Sequence, residues 1–101
     1  MKGFKKGRGE MEKISGSALK VLIGVYNEKK DKKKLTAPFF GMGGKEFANA
    51  VNELDQNEYI EGAVITTGGM GAVPQIAWLD DAEITRSGVE YLAEFTNGNV
   101  N

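Results

Sequence analysis

Ile84-Thr85-Arg86-Ser87-Gly88-Val89-Glu90-Tyr91-Leu92 is the stretch whose reading decides the fold. Thr85 is placed to cap a helix, its hydroxyl accepting from the exposed backbone N–H groups of the first turn. Ile84 and Val89, on either side of that cap, have the spacing of a hydrophobic staple that fixes how the chain enters the helix. Gly88 stands where a capping box would carry Glu or Gln, so the reciprocal half of that motif is missing. Upstream lie two β-like runs, Ile60–Thr67 and Val73–Leu79, around the tip Gly68-Gly69-Met70-Gly71-Ala72. A helix, a glycine-tipped hairpin and a capped helix in that order set the frame for the rest.

The 101 residues suffice for one domain, and a hydrophobic fraction of 41% supports a small core without staples. With neither Cys nor His, the chain has no thiol nucleophile, no disulfide and none of the usual zinc, haem or iron–sulfur ligands. Acid–base work would fall to carboxylates, Lys and Tyr. An enzyme is therefore not expected, and neither cofactor nor metal is implied. No apolar run approaches the length that crosses a bilayer, and no apolar region follows the basic N-terminus as in a secretory signal. A soluble, cytoplasmic protein is the expectation.

The net charge of −1 hides an asymmetry. Residues 1–34 hold eleven basic side chains against four acids, whereas residues 35–101 hold only Lys45 and Arg86 against ten acids. The basic end is a candidate for polyanions, and the remainder repels them.

Residues 1–13 are rich in Lys and Gly without periodicity and read as a disordered basic tail. Ser15 or Ser17 can cap a first helix over about Gly16–Glu28, with Ala18, Leu19, Leu22, Ile23 and Tyr26 at helical spacing and Val21 and Val25 widening the apolar face. Lys29-Lys30-Asp31-Lys32-Lys33-Lys34 follows, read as a solvated loop or a phosphate-facing patch. Leu35–Phe40 reads as a short second helix, with Thr36 as cap, Pro38 in the first turn, and Phe39 and Phe40 plugging the core. Gly41-Met42-Gly43-Gly44 is a turn. It lacks the spacing of a phosphate-binding loop, with Phe39 and Glu46 where Gly and Ser or Thr are needed. Lys45 to about Asn57 is a third helix burying Phe47, Val51 and Leu54 and turning Lys45, Glu46, Asn49, Asn52, Glu53 and Gln56 outward. Pro74 argues for an edge strand, and Ile76 and Trp78 share a face. The last helix runs from Arg86 to Phe95 with Val89, Leu92 and Phe95 inward.

This order resembles the winged helix superfamily. Lys45-Glu46-Phe47, Leu54, Asn57-Glu58-Tyr59-Ile60, Gly62-Ala63 and the run Trp78 to Leu92 resemble the YjcQ-like family of small bacterial and phage-encoded proteins. The resemblance covers about Ile14 to Phe95. It implies an α+β fold, a winged helix-turn-helix with a three-helix core, a two-stranded β-hairpin wing and a C-terminal helix. The domain would span residues 14–96, after the tail 1–13 and before a frayed C-terminus at 97–101. The resemblance also implies prophage association and DNA binding as a regulator, without a defined biochemical activity.

Duplex DNA would meet the third helix in the major groove and the wing at the backbone. The residues expected to carry such contacts are Lys5, Lys6 and Arg8 in the tail, Lys29, Lys30, Lys32, Lys33 and Lys34 in the loop, and Lys45, Asn49, Asn52 and Gln56 on the third helix. Asn and Gln suit adenine edges, and lysines suit phosphate. Two features weigh against groove binding: the acids Glu46, Glu53, Asp55 and Glu58 around the third helix, and a wing tip without Arg or Lys. The alternative is a protein-interaction module, as an adaptor or as a homodimer through an exposed stripe at Tyr91/Leu92 or Leu19/Ile23.

Overall fold

The structure, a computed structural model, describes residues 13–100, with side chains through residue 95. Lys5, Lys6, Arg8 and the rest of the expected tail before Lys13 lie outside the described residues. The elements in order are α1 (Gly16–Asn27), a 3-10 turn (Lys32–Lys34), α2 (Ala37–Phe40), α3 (Gly44–Gln56), β1 (Ile60–Glu61), β2 (Val64–Gly68), β3 (Val73–Trp78), β4 (Glu83–Ile84) and α4 (Arg86–Val100). The fold is α+β. β2 and β3 form an antiparallel hairpin, and β1 and β4 form a second, two-residue antiparallel pair at its base.

Ser15 caps α1, its hydroxyl accepting from the Ala18 N–H at 3.1 Å. The buried stripe of α1 is Ala18, Val21, Leu22 and Val25, so the apolar face is rotated from the expected one, and Ile23 and Tyr26 are exposed. Both phenylalanines of α2 were expected in the core. Only Phe40 packs there, partly buried against Phe47, while Phe39 is 55% exposed. Thr36 stands at the N-cap as expected and the helix begins at Ala37, but the Thr36 side chain makes no cap bond. Four residues of helix have room to bury one ring, and the ring that goes inward lies over Gly24, where a Cβ would come within 2.6 Å of Phe40 Cζ.

α3 buries Phe47, Ala48, Ala50, Val51 and Leu54 between α1 and the inner face of the hairpin. It ends in a Schellman turn: the Tyr59 N–H donates to Leu54 O at 2.9 Å and the Glu58 N–H to Asp55 O at 3.0 Å. The residue in the left-handed conformation there is Glu58, φ 62°.

The first β run is broken. Gly62, at φ 85°, turns the chain between β1 and β2, and a Cβ there would lie 2.5 Å from Asp81 O. Its two halves therefore pair with different partners, β1 with β4 and β2 with β3. Pro74 lies on an edge strand, as expected, opposite Thr67 next to a bulge.

Thr85 caps α4 as expected: its Oγ1 accepts from the Gly88 N–H at 3.0 Å. It also donates to Glu58 O at 2.7 Å, and its own N–H donates to Tyr59 O at 3.0 Å. Gly88 is required by this close approach, since a Cβ would sit 2.3 Å from Tyr59 O. The inward residue of α4 is Tyr91, buried with its ring 5.0 Å from that of Tyr59. Leu92 packs half-buried against the core as expected, whereas Val89 and Phe95 are exposed, and Tyr91 offers no exposed dimer surface. α4 also continues past Phe95 to Val100.

Candidate nucleic-acid interface

At 100° per residue, Lys45, Asn49, Asn52 and Gln56 fall within about 60° of one another on α3. Lys45, Asn49 and Gln56 are exposed and Asn52 half-buried. None of the four side chains makes a hydrogen bond or ion pair among the described residues. Because α1 and β3 hold the two flanks of α3, this strip is the part of the helix left open.

Two of the four acids expected around it, Glu46 and Glu53, bond to α1. Glu53 receives the Ser15 N–H on Oε2 and the Ser15 hydroxyl on Oε1, both at 2.8 Å, and Glu46 Oε2 receives the Ser17 hydroxyl at 2.6 Å. Two carboxylates of α3 thus sit at the N-terminus of α1, where the helix dipole favours negative charge. A capping box normally places Glu or Gln three residues after the cap to satisfy the cap's own N–H. In α1 that residue is Ala18, and Glu53 takes the part from another helix. The missing box residue was the sequence signal for this contact.

The loop lysines separate into three environments. Lys30 and Lys33 are exposed and unpaired among the described residues. Lys29 is exposed with its Nζ 4.7 Å from the centroid of the Tyr26 ring, a cation–π contact that leaves its charge accessible. Lys32 and Lys34 are engaged. Lys32 is buried, only 9% exposed, with its Nζ 3.6 Å from Glu83 Oε1, which ties the 3-10 turn to β4. Lys34 Nζ lies 3.2 Å from Glu28 Oε1. The Glu28 carboxylate also accepts from the backbone N–H groups of Asp31 at 2.9 Å and Lys30 at 3.3 Å. The Asp31 N–H first, then the Lys34 ammonium, hold its carboxyl below the usual carboxylate range.

Two surfaces were not foreseen. An apolar groove of about 480 Å³ lies between α1 and α2, lined by Ile23, Gly24, Leu35, Phe39 and Phe40 with Lys20, Asn27, Glu28 and Lys34. The hairpin turns Val64, Ile76 and Trp78 to solvent on one face and buries Ala77 on the other, towards α3. No charged residue occurs between Gly62 and Leu79.

A short helix, a glycine turn and a longer helix with an open amide strip, backed by a hairpin, define a small α+β protein. The model of the YjcQ protein family matches residues 17–100, and the chain belongs to that family. No curated protein and no solved structure matches it. No described helix is long and apolar enough to cross a membrane.

Proposed function

We propose that the protein is a non-enzymatic winged-helix regulator of phage or prophage origin, acting in the cytoplasm, that binds duplex DNA through the open strip of α3. One observation carries this reading: the strip Lys45, Asn49, Asn52 and Gln56 is free, while the neighbouring Glu46 and Glu53 are held at the N-terminus of α1. Asn and Gln can each make a bidentate pair with adenine N6 and N7. Lys30 and Lys33, with Lys5, Lys6 and Arg8, supply phosphate contacts, and these set both affinity and salt dependence. The hairpin, uncharged from end to end, contributes none.

The test is fluorescence anisotropy of labelled duplex DNA titrated with the full chain across a salt series. Affinity is expected to fall steeply with salt, the logarithmic slope losing about 0.9 for each phosphate contact removed. A triple variant, Asn49→Ala, Asn52→Ala and Gln56→Ala, is expected to lose preference between sequences while keeping the salt slope. No binding at low salt overturns the reading.

The second reading, contact with a protein instead of DNA, rests on the solvent-facing Val64, Ile76 and Trp78, which suit an apolar partner and no phosphate.

A further inference from the structure

We infer that the groove between α1 and α2 is a binding site for a small aromatic carboxylate, its rings seated among Ile23, Leu35 and Phe39 and its anion on the Lys20 ammonium. Lys20, Ile23, Gly24 and Asn27 are spaced three, four and seven residues from the first, so they share one face of α1. Leu35, Phe39 and Phe40 form the opposite wall, and the cavity between is about 480 Å³, within the range of sites that hold small molecules. The groove stays open for a local reason. The short α2 has room to bury one ring, and Phe40 takes that place over Gly24. Phe39 is left on the rim, 55% exposed, its ring 5.0 Å from that of Phe40 and nearly perpendicular to it.

The polar groups of the groove select the sign of the occupant. Glu28 and Lys34 line it but neutralise one another, with Lys34 Nζ 3.2 Å from Glu28 Oε1, and the Glu28 carboxylate also accepts from the Asp31 and Lys30 N–H groups. Lys20 and Asn27 are exposed and, among the described residues, make no hydrogen bond or ion pair. The groove therefore carries one uncompensated positive charge and one free amide, while the carboxylate lining it is already engaged. A cationic ligand would face two ammonium groups and no available anion. A neutral apolar ligand would leave Lys20 unanswered. A carboxylate gains a charge-assisted hydrogen bond there, beside an apolar wall that strengthens it.

The dimensions favour a small molecule over a peptide helix. A helix seated in a groove is held by anchors spread over two turns. The α1 wall from Lys20 to Asn27 offers that length, about 10 Å, but the facing α2 has four residues and offers only about 6 Å. Two fused or linked rings match the shorter wall. Phe39 and Phe40 supply both ring edges and ring faces, the surfaces on which a further aromatic ring packs best.

The test uses three probes with the same rings: 2-naphthoate, the neutral 2-naphthalenemethanol and the cationic 2-naphthylmethylammonium. Each is titrated at low salt into the nitrogen-15-labelled full chain without DNA, and amide chemical shifts are followed. 2-Naphthoate is expected to give saturable shifts centred on Lys20–Glu28 and Lys34–Phe40. The alcohol should bind about fivefold more weakly, the worth of one exposed ion pair, and the ammonium more weakly still. Lys20→Gln is expected to bring 2-naphthoate down to the affinity of the alcohol and to leave the alcohol unchanged. Phe39→Ala, at a solvent-facing position, should weaken all three. Absence of saturable shifts at the groove overturns the inference, as does binding centred on Val64, Ile76 and Trp78. Equal affinity for the three probes, or a Lys20→Gln chain that still prefers the anion, overturns it too. Since no DNA is present, none of these outcomes bears on the α3 reading.

Discussion

Gly88 is the position where one added carbon does most harm. A Cβ at 2.3 Å would strike Tyr59 O, a backbone atom already fixed by the Thr85 N–H, so neither side can yield. Gly88→Ala is expected to cost about 3 kcal/mol or more in urea denaturation. Gly44→Ala, where a Cβ meets nothing within 4 Å, should instead stabilise by roughly 0.5–1 kcal/mol. Glu58 is the opposite case. It holds the left-handed position that glycine fills without strain, and its side chain takes no part in the Schellman bonds. Glu58→Gly is expected to stabilise by about 0.5–1 kcal/mol, the relief of strain exceeding the entropy that glycine adds to the unfolded chain. Glu28 adds a pH dependence. Its carboxyl is held below its ordinary range in the folded protein, so its contribution is present at neutral pH and fades as pH falls through the folded value. NMR titration of the Glu28 side-chain carboxyl should give a midpoint below that of an unstructured peptide, and Lys34→Gln should raise it.

The elements show why part of the fold was legible. The helix limits of α1 and α3 and the cap of α4 follow from Ser15, Thr85 and the periodicity of Ala18, Leu22, Phe47, Val51 and Leu54, all local signals. What was misread depends on partners far along the chain. Whether Ile23 or Val21 faces inward is settled by where α3 lies, and whether Phe39 or Phe40 enters the core is settled by the space above Gly24. The break in the first β run was signalled by Gly62, but that Asp81 O crowds it became visible only in three dimensions. The acids of α3 were read as a repulsive face because their Ser15 and Ser17 partners are more than twenty-five residues away. That contact is testable by a double-mutant cycle. Ser15→Ala alone should cost about 1 kcal/mol, since it removes the cap. Glu53→Ala leaves the Ser15 N–H without its carboxylate, and the pair should be less than additive because both changes break one network.

Across the whole molecule, lysines that look alike along the chain have been sorted by folding. Five lysines stand within six residues between Lys29 and Lys34, yet two are already committed to carboxylates, Lys32 to Glu83 and Lys34 to Glu28. A polyanion would meet mainly Lys29, Lys30 and Lys33 in this loop, and Lys45 on the open strip of α3. Two variants separate the paired from the unpaired. Lys30→Gln with Lys33→Gln leaves every described ion pair in place and should lower DNA affinity with a salt slope shallower by about 2, if each meets one phosphate. Lys32→Met keeps the buried stem and removes only an ammonium whose partner is solvent-facing, so stability should change by less than about 1 kcal/mol. Its DNA affinity and salt slope should stay those of the parent chain. A loss of affinity in Lys32→Met equal to that of either exposed lysine would show the loop reading charge as a cluster, and the division of labour argued from its burial would then be wrong.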